Sequence, residues 1–223
     1  MQFDSDWLLW QLADSAFPSG GFAHSGGLEA ARQTGEVPRG DDLREFVKAS
    51  LLQAATAAAP YALAARATPD AIAQLDRRYD AFLSNHVANR ASRAQGQGFL
   101  AASVRTLGMP ALRELALRIR ADDLPGHWPV VFGAVGGCLG LSPRHLARLL
   151  LFITLRGLIS SAVRLGIVGP MHAQSLQFEL HDYGDWLVER SLETDIEEAA
   201  QTAPVIELLQ GLHDRLYSKL FLS

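Results

Sequence analysis

The stretch Pro129–Gly140, PVVFGAVGGCLG, decides between two fold classes. Its valines alone read as a buried β-strand. Helix is the better reading, because Trp128, Phe132, Val135 and Leu139 recur at three and four and share one face. Pro129 then takes the first helical position, where its missing N–H is not needed. Gly133, Gly136, Gly137 and Gly140 leave a face almost bare of side chains, against which another helix can come close.

The same period continues on both sides. Ser142-Pro143 caps a segment apolar almost all round from Leu146 to Val163, which must be a central helix. Arg148 and Arg156 bracket too few residues for that run to span a bilayer. Upstream, Leu43, Phe46, Val47, Leu51, Ala54 and Ala58 mark one helical face, and Pro60 is expected to kink or interrupt it. Thr68-Pro69 reads as a cap and first-turn proline opening a second long helix, with Ile72, Leu75, Tyr79, Phe82 and Leu83 inward. His86, Arg90, Arg93 and Gln97 share a polar face of that helix. Helical patterns resume after Pro170 and run toward the end of the chain. No repeat, linker or composition break appears. The expectation is one all-α domain over residues 1–223, with roughly eight to ten helices. The glycine face and the apolar helix are further expected to support self-association.

Composition narrows the function. Of 223 residues, 48% are hydrophobic, enough for a substantial core, and the formal net charge of -4 comes without a long basic run. Binding to nucleic acid or membrane by bulk charge is disfavoured. Cys138 is the only cysteine, so an internal disulfide and a multi-cysteine metal site are excluded. No signal peptide is read at the start, which makes a cytoplasmic location the expectation. The seven histidines include no pair at i,i+4 and no H-E-x-x-H.

The segment Phe17–Ala31, FPSGGFAHSGGLEAA, tests two further chemistries. Gly21 and Gly26 have the spacing of P-loop glycines, yet Gly27 and Leu28 stand where lysine and Ser/Thr are required. Ala23–Gly27 reads A-x-S-x-G, close to a nucleophile elbow at Ser25, but no strand precedes it. A serine hydrolase using Ser25 and a generic helical adaptor stay open as alternatives.

Four segments together resemble the UreF family of urease accessory proteins. They are Phe17–Glu29, His127–Gly133, Ser160–Gly166 and Tyr217–Ser223, which match the family's order along most of the chain. The resemblance implies an all-helical dimer without catalysis or a cofactor of its own. It also implies that the protein works with UreD (also called UreH), recruits the GTPase UreG to apo-urease, and couples GTP hydrolysis to nickel delivery. The glycine-rich loop is then a partner-facing turn carrying Pro18, Gly20, Gly21, Phe22, His24, Ser25, Gly27 and Glu29. Arg90, Arg93 and Arg164, with Glu29, are the polar groups expected to address the GTPase. Tyr217, Ser218, Lys219, Leu220 and Phe221 form a conditional binding tail, with Tyr217 and Phe221 as anchors for UreD. Lys219 and Leu222 stand where the family usually carries arginines.

Overall fold

The computed structural model describes residues 6–18, 20–37 and 40–223, and for residues 40 and 41 the backbone alone. Its α-helical segments are α1 (Asp6–Ala13), α2 (Leu28–Thr34), α3 (Gly40–Gln53), α4 (Ala59–Ala67), α5 (Ile72–Phe82) and α6 (His86–Leu107). They continue with α7 (Pro110–Ala121), α8 (Trp128–Cys138), α9 (Pro143–Arg164), α10 (Pro170–Glu179), α11 (His181–Glu193) and α12 (Pro204–Leu212). No strand occurs among the described residues, and the all-α reading holds.

The deciding stretch is helical as α8. Its glycines serve α4: a Cβ on Gly133 would stand 2.0 Å from the Ala62 carbonyl oxygen, and one on Gly137 2.9 Å from that of Arg66. α4 can come this close because Ala59, Ala62 and Ala65 present almost no side chain. Gly133 and Gly137 are therefore spent on α4 inside the fold, so the glycine face is not the free surface that the self-association expectation used.

Pro60 does not break its helix. A helical proline cannot bond the carbonyl four residues back, and its ring crowds that oxygen. The carbonyl in question belongs to Thr56, inside a π-helical turn at Ala54–Ala58 that joins α3 to α4. It accepts instead from Ala200 N–H at 3.1 Å. The wider turn absorbs the proline, and the rod continues.

The expected second long helix is two helices. Leu83 leaves helical geometry at ψ 78°. Asn85 then caps α6, its side-chain oxygen accepting from Val87 N–H at 3.0 Å and Ala88 N–H at 3.1 Å. Its amide also donates to the Glu207 carbonyl, tying the break to α12. Thr68 does not cap forward; its hydroxyl donates back to Ala64 O at 2.7 Å.

α9 is central, as its all-round apolarity requires. Leu146, Leu149 and Leu150 join the core around α4 and α8. Ala147, Leu151, Leu155, Leu158, Ile159 and Ala162 join a second core built from α2, α3 and α10–α12. By length and composition α9 could cross a bilayer, yet ten of its residues are buried within the fold. Its C-terminal end carries Arg164 to the surface where the loop and the tail meet.

Candidate functional site

The loop before α2 is shaped by glycine. Gly20 and Gly27 hold φ at 75° and 90°, which other residues adopt only with strain. Gly27 is also pressed by α12, whose Gln210 N and Ile206 O would lie 3.3 and 3.4 Å from an added Cβ. The turn presents Phe22, which is 67% exposed, and sends Ser25 and Glu29 inward.

The tail folds back along this loop. Leu222 N–H donates to Ala23 O at 2.8 Å, and Ser25 N–H donates to Ser223 O at 2.6 Å. The Ser25 hydroxyl donates to the same Ser223 carbonyl at 3.2 Å, and His24 Nδ1 lies 2.5 Å from Ser223 Oγ. Glu29 is the central clamp. Its buried carboxylate accepts from Leu220 N–H at 2.6 Å, from Phe221 N–H at 3.2 Å, and contacts His213 Nε2 at 3.2 Å. Standing in the first turn of α2, it also gains from the positive end of that helix dipole.

Arg164 closes the arrangement from α9. Its guanidinium lies 3.8 Å from the Phe22 ring centre and 4.1 Å from that of Phe221, while one N–H donates to Phe22 O at 2.6 Å. Such stacking is worth about 0.5–1 kcal/mol at an exposed ring such as Phe22 and more at a buried one such as Phe221. At the rim, Arg90 pairs with Asp214 at 2.8 Å, holding that carboxyl below the usual range. Lys219 donates to Asp214 O, and Gln33 donates to Ser218 O. Burial, with electrostatic contributions from His213 and Arg90, lowers the His24 pKa and so favours the neutral imidazole.

The residues expected at a partner surface thus converge from distant segments, but they divide into two layers. Pro18, Gly20, Phe22, Tyr217, Ser218, Lys219 and Leu220 face solvent, and Gly21 and His24 are half-buried. Ser25, Gly27, Glu29 and Phe221 are buried and hold the clasp from within. Two expectations are corrected accordingly. Glu29 cannot address a GTPase, because its carboxylate is spent on the tail. Phe221, 4% exposed, anchors the tail to its own chain rather than to a partner.

Arg90 is occupied by Asp214, whereas Arg93 is exposed and makes no ion pair among the described residues. Gln97, on the same stripe, braces Pro125 O. Ser25 has no histidine on its hydroxyl and no open approach, so the elbow reading fails on geometry. Sequence reasoning missed His213 and Asp214, which have no local motif. It also missed the outward stripe of α12, where Val205 and Leu208 are 59% and 70% exposed. Among the described residues, no three of His, Cys, Asp and Glu gather as a metal-binding group.

Comparison with known proteins finds relatives along nearly the whole chain. A sequence model of the UreF family matches residues 37–181. The chain is 38% identical over 222 residues to urease accessory protein F of Arabidopsis thaliana, covering 97% of this chain and 92% of that protein. It is similar to urease accessory protein F of Oryza sativa subsp. indica at 37% over 226 residues, covering 99% and 86%. It is also similar to urease accessory protein UreF of Mycobacterium tuberculosis strain H37Rv at 31% over 216 residues, covering 97% and 98%. The chain belongs to the UreF family of urease accessory proteins.

Proposed function

We propose that this chain is a non-catalytic urease maturation factor of the cytoplasm. It joins UreD/UreH, recruits the GTPase UreG to apo-urease, and couples GTP hydrolysis to nickel delivery, with nickel as cargo. It does so as a homodimer, through surfaces other than the α8 glycine face. Family membership supports the urease role. The observation that carries the docking surface is the clasp: Phe22, Tyr217, Leu220 and Leu222 lie exposed on a backbone fastened from beneath. Large apolar groups held rigidly at the surface are what a partner interface uses as anchors. Arg93, exposed on α6 one turn beyond Arg90, offers a cation for a GTPase switch region or its phosphates. The test is co-purification with cognate UreD and UreG, with and without GTP and nickel. A complex that forms with UreD and then gains UreG is expected. Failure to retain UreD under any of these conditions would overturn the reading.

A further inference from the structure

The clasp covers one wall of a cleft. Behind Phe22, His24 and Ser223 lies a hollow of about 400 Å³, within the range of small-ligand sites. The loop, the π turn, α6 and the C-terminal half of α9 enclose it. Arg156, Ser160 and Arg164 follow one another at four-residue spacing along α9 and form a ridge in the wall, the outer two about 12 Å apart along the axis. Between them the wall is open: nothing lies within 4 Å of where a Cβ on Gly157 would stand.

Charge sets this cleft apart. Among the described residues its lining includes Arg156 and Arg164 but no Asp or Glu. The other arginines of α9 behave differently, Arg144 pairing with Glu189 and Arg148 with Asp185 on α11. Arg156 instead donates to Ala13 O and Arg164 to Phe22 O, both main-chain carbonyls. A guanidinium has five N–H donors, so each fork keeps donors to spare. Burial opposes the charge of Arg156, and the nearby Asp14 offsets that only in part. A cleft whose lining carries two guanidiniums and no carboxylate side chain favours an anion.

We propose that the cleft binds a small carboxylate or phosphate anion, bridging Arg156 and Arg164 with Ser160 donating between them. Trp128 and Ile153 would pack against its apolar part, with Gln95 and Gln210 supplying amides. The proposal rests on the cleft alone and needs no partner, so it stands or falls separately from the maturation role. The test is calorimetric titration of the full chain with citrate and with pyrophosphate, at ionic strength fixed by sodium chloride. At least one probe is expected to bind with Kd below about 1 mM, and the stronger one identifies the anion class. Arg156→Gln and Arg164→Gln are each expected to weaken binding at least tenfold, while Arg148→Gln leaves it unchanged. Gly157→Leu fills the open wall without removing a charge and is expected to abolish binding. Because it disturbs no side-chain hydrogen bond, it decides the matter even if an arginine variant unfolds. Failure of both probes to bind the wild-type chain, or binding that survives Gly157→Leu, would overturn the proposal.

Discussion

The α4–α8 contact and the loop–tail clasp are built on opposite principles. In the first, backbone meets backbone across glycine and alanine, and no polar side chain is needed. In the second, a carboxylate, hydroxyls and a guanidinium fasten a segment that buries Phe221 and leaves Tyr217, Leu220 and Leu222 outside. Small-residue packing tolerates no added atom, because interiors are close-packed and carbonyls do not yield. Polar fastening keeps a chain segment in place while leaving apolar surface exposed. The first contact defines the fold, and the second presents a surface.

The largest effect is expected where space is least. Gly133→Leu would drive a side chain into the Ala62 carbonyl, with a loss of at least about 3 kcal/mol in denaturant unfolding. A mild, well-folded variant would contradict the backbone-on-backbone contact. Glu29→Ala comes next. It strands the buried N–H of Phe221 and the part-buried N–H of Leu220, at about 2 kcal/mol in total, and hydrogen exchange at those amides should rise sharply while that of α8 stays slow. For the same reason, deletion of Tyr217–Ser223 is expected to lower stability.

A pH effect on the clasp follows from His24. Its pKa is lowered in the folded state, so the neutral ring is favoured there. Its contribution is intact above the ordinary histidine pKa of about 6.5 and is lost as pH falls through the lowered folded value. Melting temperature as a function of pH, compared between wild type and His24→Gln, should show the two curves separating on the acidic side. Parallel curves would contradict the assignment. The smallest stability effect belongs to Tyr217→Ala: this fully exposed ring should cost no more than about 0.5 kcal/mol in unfolding.

How much of this was legible beforehand depended on range. The α8 helix was legible because Trp128, Phe132, Val135 and Leu139 report a local period, and the central place of α9 followed from its all-round apolarity. The break at Leu83–Asn85 was not, since hydrophobic spacing runs through it and only Asn85, bonded both to its own helix and to Glu207, ends it. Family resemblance pointed to the loop, the tail and Arg164, but not to how they divide. Glu29 and Phe221 read as surface residues until chain folding places them 192 positions apart in sequence and in hydrogen-bond contact. His213 and Asp214 could not be found, because partners distant in sequence define them.

The central claim is that the clasp is fastened from within and recruits partners from its outer face. The direct measurement is the affinity of immobilised UreD for wild-type chain and for Tyr217→Ala with Leu220→Ala, alongside denaturant unfolding of both. The account predicts affinity weakened by a factor of ten or more, at about 2 kcal/mol for an anchor ring, with the unfolding midpoint nearly unchanged. Undiminished affinity in a variant that unfolds like the wild type would contradict it.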